Sequence, residues 1–372
     1  MMPRVPVMKS TVEAFDLESA WGKALQAAVC GRCDWSYLLL QGDLPPRCPH
    51  CFQAALTPLD EQLARLPYTH PPELVLPFAA SAESIATNIQ NFARGIWFAP
   101  PDLTPGNIKA RLTRLYLPMW LVDADIQAAW QAEAGFDYEV VSHQDRYEEN
   151  RGGWVSQELR ERRIRWEPRL GRLTRSYQNI PAPAQDDDAQ ITRLLGKYDL
   201  QKAEAYRSEA LDGSAVRLPN RDPQDAWSEA AAAFQSAAAE ECRMAARADH
   251  IRQFSWQPEF QNQNWTLLLL PLFASYYLDD EQTPQPVLVH GRSGQINAPR
   301  RASMRRAQRA SLVTLAAAIG LFLLSLLLMA AATLAPPLMR LGTIGLVLAL
   351  LLGLAAILPV ALVAWFNHQQ KS

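Results

Sequence analysis

Hydrophobic and polar positions change their rhythm several times along the chain. The last sixty residues carry no rhythm at all. Residues 310–339 contain no charged side chain, and residues 341–367 again contain none. A helix needs ~20 apolar residues to cross ~30 Å of hydrocarbon, and spans at 311–335 and 341–366 both exceed that. Pro336, Pro337 and Arg340 lie between them and predict a tight turn, since proline cannot continue a helix. The expectation is a transmembrane helical hairpin. No ionisable group falls inside either span, so nothing points to an ion path or proton relay.

Upstream, short runs of alternation predict strands and longer amphipathic runs predict helices. Leu74-Val75-Leu76-Pro77 reads as a strand, and residues 81–93 as a helix with Ser81 as its N-cap. Residues 115–126 read as a strand, and a further strand ends near Gly135. A second series follows: Val216-Arg217-Leu218-Pro219, an alanine-rich helix over 223–244, a strand over 266–278, and a strand at 286–291. The two openings lie 142 residues apart, and the two Leu-Pro strands around Pro118 and Pro271 lie 153 apart. Duplication of an αβ unit explains both offsets. Between the units, alternation on either side of Pro168-Arg169-Leu170-Gly171 predicts a β-hairpin turning there.

The fold class expected is α+β with an antiparallel sheet. Its units are an N-terminal segment 1–29, a zinc ribbon 30–56, a proline-rich linker 57–72, αβ units at 73–180 and 181–299, a basic segment 300–310, and the spans.

Charge sets the orientation. The formal net charge of −2 over 372 residues hides an uneven distribution. Residues 1–299 hold 29 basic residues against all 38 acids, which argues against a body that works by gripping nucleic acid. Arg300, Arg301, Arg305, Arg306 and Arg309 precede the first span, while His368 and Lys371 follow the second. Positive charge stays on the cytoplasmic side. Both termini and the large domain are therefore expected in the cytoplasm, on a multi-pass inner-membrane protein. The five arginines are candidate contacts for lipid headgroups, and Trp365 and Phe366 sit where interfacial aromatics belong. Residues 1–9 lack the apolar core of a signal peptide.

Chemistry concentrates in four of the five cysteines. Cys30-Gly31-Arg32-Cys33 and Cys48-Pro49-His50-Cys51 are two knuckles separated by fourteen residues. Each can present two thiolates from one tight turn, and together they make a tetrahedral four-thiolate site. Zinc is the favoured metal, with a rubredoxin-like iron as the minority option. A disulfide framework is the competing reading, which a reducing cytoplasm disfavours. His50 reads as a solvated turn residue and Cys242 as a half-buried helix thiol. Asp123 and Asp125, two apart on one strand, would face the same side and are the one carboxylate pair considered for catalysis; salt bridging or solvation is the blander reading. Seven arginines cluster at 160–175, of which Arg163, Arg165 and Arg172 are the candidate nucleic-acid contacts. Glu158, Glu161 and Glu167 interrupt them and favour a solvated face.

Several phrases together resemble a known group. They are the two knuckles, Glu73-Leu74-Val75-Leu76-Pro77-Phe78, Trp97-Phe98-Ala99-Pro100, the run from Tyr116 to Trp130, Trp166-x-Pro168-x-x-Gly171, and Val287 to Ile296 before the apolar tail. This order resembles a bacterial family of membrane-anchored zinc-ribbon proteins, often labelled primosomal protein N-prime-like or as carrying a transcription-factor-type zinc ribbon. The resemblance implies zinc at Cys30, Cys33, Cys48 and Cys51. Relatives have glycine after each knuckle where this chain has Asp34 and Phe52, and asparagine where it has His290. The helicase label does not transfer. A phosphate-cradling loop needs G-x-x-x-x-G-K-[ST], and neither Gly22-Lys23 nor Gly196-Lys197 satisfies it. The expected function is a non-enzymatic scaffold or adaptor that binds a protein partner from the bilayer surface. The alternative is a membrane-tethered nucleic-acid-binding protein.

Overall fold

Three long strands organise the chain. The computed structural model describes residues 17–59, 68–148, 153–331 and 337–370. Helix α1 (Leu17–Trp21) precedes three short strands, β1 (Leu25–Cys30), β2 (Ser36–Leu40) and β3 (Leu56–Pro58). Then come β4 (Leu74–Val75), α2 (Ala82–Arg94), α3 (Pro105–Ala110) and the long strands β5 (Thr113–Glu148) and β6 (Gly153–Pro183). Helix α4 (Asp188–Leu195), β7 (Glu204–Ala205), β8 (Ser214–Arg217) and α5 (Trp227–Ala245) lead to the third long strand, β9 (His250–Leu278). The chain continues through β10 (Pro284–His290), β11 (Ile296–Asn297) and the apolar helices α6 (Met304–Ala331), α7 (Pro337–Ala355) and α8 (Leu358–Gln369).

The eleven strands of the described residues form one mixed sheet around an antiparallel centre, where Leu117 of β5 lies opposite Leu270 of β9. Beyond that point each strand changes its outer partner. The far edge of β5 pairs in parallel with β8 up to Tyr116, then antiparallel with β6 from Met119. The far edge of β9 pairs in parallel with β4 at Leu268 and Leu269, then antiparallel with β10 from Leu272. Pro118 and Pro271 stand where these partners change. A residue without an N–H leaves no donor stranded there.

Side chains alternate across this centre. Leu115, Leu117 and Leu121 join Leu268, Leu270 and Leu272 on one face, beneath α4 and the cysteine knuckles. Tyr116 and Leu269 lie on the other face beneath α1, Trp120 and Val122 beneath α5, and Phe273 and Tyr277 beneath α2 and α3. The unbroken run Leu267–Leu270 is what a strand covered on both faces requires.

Two expectations need correction. Residues 168–171 are not a turn: β6 runs straight through them, and β5 continues past Gly135 to Glu148. Gly171 sits opposite Trp130, whose ring lies 3.1 Å from where a Cβ would be. Gly135 sits opposite Trp166, where a Cβ would come within 2.8 Å of the ring. The glycines make room for indoles across the ladder, and Pro168 is tolerated because β6 is an edge strand. With β9 on the other side of β5, the result is a three-stranded arm. The second apolar span is likewise not one regular helix. It breaks at residues 356–357, where Pro359 near the start of α8 cannot donate to the preceding turn.

Part of the proposed linker is strand: β3 pairs with β1, Thr57 opposite Val29. Residues 1–16, 60–67 and 332–336 lie outside the described residues, whereas Pro337 and Arg340, expected in the connecting turn, belong to the first turn of α7.

The apolar helices are long enough to cross a membrane, with mean hydropathy 2.6 in the most apolar stretch of α6 and 2.9 in that of residues 337–369. Only 11% and 17% of their most apolar windows are buried, unlike core helices of a soluble protein. Where α6 and α7 touch, they touch closely: a Cβ on Gly342 would meet Met329 at 2.5 Å. No loose linker joins α6 to the body. Ser303 caps α6, accepting from Arg306 N at 3.1 Å and donating to Asp280 at 2.6 Å. Asn367 of α8 pairs twice with the Ala302 backbone, at 2.9 and 3.0 Å.

Candidate metal centre

Both knuckles are the same turn. Asp34 N donates to Cys30 O at 2.9 Å and Phe52 N to Cys48 O at 3.0 Å. Asp34 and Phe52 both adopt the left-handed conformation, φ 57° and 54°, which glycine reaches without steric cost. The strain is retained because each residue is held on both sides: Cys30 N bonds Trp35 O, and Cys48 N bonds Ala54 O. The Phe52 ring is buried 5.1 Å from Tyr276.

The turns bring Cys30, Cys33, Cys48 and Cys51 together, with all four Sγ atoms within 4.8 Å of one another. Cys30 Sγ lies 3.7 Å from Cys51 Sγ, and Cys33 Sγ lies 3.7 Å from Cys48 Sγ. A tetrahedron with metal–sulfur bonds of ~2.3 Å has edges of ~3.8 Å, so the spacing suits a four-coordinate ion. Burial pushes the Cys33 and Cys48 thiols up. Burial also opposes the Cys30 thiolate, but N–H groups from Arg32 and Cys33 outweigh it and bring that thiol below its ordinary range. Four thiolates this close require a cation among them to be charged together. The cluster could hold a metal ion such as zinc.

Residues around the cluster support it. Tyr37, fully buried on β2, places its hydroxyl 3.4 Å from Cys48 Sγ, and His50 N lies 3.5 Å from the same sulfur. Arg217 of β8 stacks its guanidinium 3.3 Å over Trp35 and reaches Asp187 at 2.5 Å. Asp187 also faces His50 Nε2 at 3.4 Å. Burial opposes its ionisation, but the His50 contact and the Arg217 charge together hold its carboxyl below the usual range. His50 is therefore not a simple solvated turn residue: it ties the second knuckle to the start of α4. Sequence spacing gave no hint of the Arg217–Asp187, Asp187–His50 and Arg217–Trp35 contacts, which join residues 30 to 182 apart.

The remaining candidates separate. Asp123 Oδ1 accepts from Asn179 N at 2.7 Å, and Asp125 Oδ2 from Asn262 Nδ2 at 2.7 Å. Asn179 and Asn262 are left-handed residues at register shifts in β6 and β9. The two aspartates thus hold β-bulges on opposite sides of β5. Cys242 is buried on the inner face of α5, where burial and Glu241 push its thiol up to about 11. On the arm, Arg163 pairs with Glu161 at 2.9 Å and Arg165 with Glu167 at 3.0 Å, while Arg172 is exposed. Near the apolar helices, Arg301 lies 3.7 Å from Asp279, and Arg306 donates to Ala99 O at 2.9 Å. Arg300 lies over Phe92 at 5.7 Å, and Arg305 and Arg309 lie on α6.

No family model matches this chain, and neither a curated protein nor a solved structure matches it. The resemblance to the zinc-ribbon membrane proteins therefore rests on the sequence phrases, with the cysteine cluster and the apolar helices consistent with it.

Proposed function

We propose that this chain is a membrane-anchored zinc-ribbon protein that works as a non-enzymatic scaffold or adaptor for a protein partner. The two apolar stretches span the bilayer as a hairpin. The body lies on the cytoplasmic face, where the arginines from Arg300 to Arg309 and the end of α8 meet. Sulfur spacing and the fourfold cysteine donor set favour zinc over other ions. Bound zinc would supply folding energy to the knuckles, which have few apolar side chains of their own. The matching outer partners of β5 and β9, with Pro118 and Pro271 in corresponding places, support two βαββ units (β4-α2-β5-β6 and β8-α5-β9-β10) from one duplication, each lending its first strand to the other.

The arm carries the functional reading. It spreads a long three-stranded surface instead of enclosing a cleft. Leu170 and Ile164 are exposed on one face of it, and Tyr138, opposite Arg163, on the other. The arm's glutamates neutralise Arg163 and Arg165, which favours a protein partner over a phosphate backbone. Photo-crosslinkers at Leu170 and Ile164, used in native membranes, are expected to capture one protein in stoichiometric yield. Nuclease-sensitive adducts, or no stoichiometric adduct, would refute the reading. Metal analysis is expected to give one zinc per chain.

A further inference from the structure

An apolar groove of about 250 Å³ opens where the body meets the helices. Its walls include Trp97 and Phe98 from the segment after α2, Ala302 ahead of α6, and Val363, Trp365 and Phe366 of α8. Trp97 is 74% exposed and Trp365 61% exposed. Half of the groove is thus the body end of an apolar helix, and the other half is a loop of the body.

That loop is fixed to the helices. Ser303 N donates to Phe98 O at 2.7 Å, and Arg306 Nη1 to Ala99 O at 2.9 Å. Phe98 is held left-handed at φ 54°, a conformation costly for a bulky side chain that these bonds enforce. The pairing of Asn367 with Ala302 sets the level. Trp365 is two residues inside it, ~3 Å along the helix axis, and Arg309 seven residues inside, ~10 Å. Trp365 and the arginines from Arg300 to Arg309 therefore lie within ~10 Å of that level, at the membrane–water boundary that the apolar helices imply.

A cation stands at the mouth. The Arg300 guanidinium lies 3.8 Å from the Cβ position of Gly95, which also lines the groove. The nearby acids are already engaged: Asp279 accepts from Gln285 and faces Arg301, and Asp280 accepts from Ser303 Oγ and Arg305 N.

Resting on the membrane-anchored reading, we propose that this groove is a phospholipid site. It takes the upper acyl chain of a bilayer phospholipid between Trp97 and Trp365 and its phosphate beside Arg300, with a preference for anionic lipid. The body is thereby seated on the bilayer through a second, non-helical contact, and its orientation is set by a bound lipid as well as by the helices.

The test uses the full chain in nanodiscs of phosphatidylcholine, with or without phosphatidylglycerol, whose acyl chains are brominated near the glycerol. Fluorescence lost in W97F and in W365F relative to the parent isolates each indole. Both components are expected to be strongly quenched by the brominated lipid. A quenched Trp365 component with an unquenched Trp97 component would overturn the lipid site and leave the anchor standing. If neither is quenched, the anchor itself fails. In a second arm, Arg300→Gln is expected to lower retention of phosphatidylglycerol relative to phosphatidylcholine about fivefold, the equivalent of ~1 kcal/mol per headgroup contact, with thermal melting unchanged. Unchanged retention would overturn the phosphate assignment.

Discussion

Arg217 joins the cysteine knuckles to the body, and replacing it tests how tightly. Its side chain is 2% exposed, stacked on Trp35 from the first knuckle and paired with Asp187 at the start of α4. Arg217→Met keeps much of the volume and removes the charge. The lost stacking of a desolvated guanidinium is worth ~2 kcal/mol. Breaking one side of a buried ion pair costs ~3–5 kcal/mol, because the partner is left charged without compensation. Asp187 keeps the His50 imidazole 3.4 Å away. The two terms overlap, so the single variant should lose ~3–5 kcal/mol in total. Asp187→Asn on top of it removes the stranded charge and should restore ~1–3 kcal/mol of the expected sum. The assay is thermal melting of the full chain in mild detergent, read by near-ultraviolet dichroism, with metal release followed by a chromogenic chelator. The single variant should release metal at lower temperature and the double variant should not be additive. A single variant that melts and releases metal with the parent, or strict additivity in the double, would refute the coupling.

Three further outcomes follow from the geometry. Gly291→Ala would place a Cβ 2.4 Å from the Pro271 carbonyl oxygen, a backbone atom held at the sheet centre, and should cost ~3 kcal/mol or more in the same melt. Asp34→Gly relieves a left-handed residue and should raise the melting temperature by the equivalent of ~0.5–1 kcal/mol. His290 accepts from Arg292 N and Ser293 N through Nδ1, and burial, with the Arg292 charge, holds its imidazole below the ordinary value. The unfolded chain therefore takes up this proton first, so the stabilisation is complete above the unfolded histidine range and is lost as pH falls through the folded pKa. A stability slope between about pH 7 and pH 5 should flatten in His290→Asn, which keeps an acceptor for the same turn; an unchanged slope would count against it.

What could be read in advance follows from locality. The four cysteines, the helices over 82–94 and 227–245, and the apolar stretches announce themselves through spacing or periodicity within a single element. The arm did not, because Pro168 and Gly171 carry the signature of a turn. Their actual roles, a free sheet edge and a seat for Trp130, depend on a partner strand some forty residues away. Asp123 and Asp125 looked like a carboxylate pair for the same reason: the bulges at Asn179 and Asn262 that they hold are defined only once three strands are in register. The support around the cysteines lies further still from sequence logic, since Arg217 and Trp35 are 182 residues apart.

The central position of β5 also dictates a sequence of events during synthesis. β6 follows β5 directly, so those two can pair as soon as they leave the ribosome. The opposite edge of β5 waits for β9, whose first residue, His250, comes about 100 residues after Glu148. At 5–20 residues per second, that leaves roughly 5–20 s with an unsatisfied, strongly apolar edge around Leu115, Leu121 and Val122. A nascent chain in that interval is open to pairing with a neighbour, and the arrival of β9 is the moment at which the body becomes safe from it.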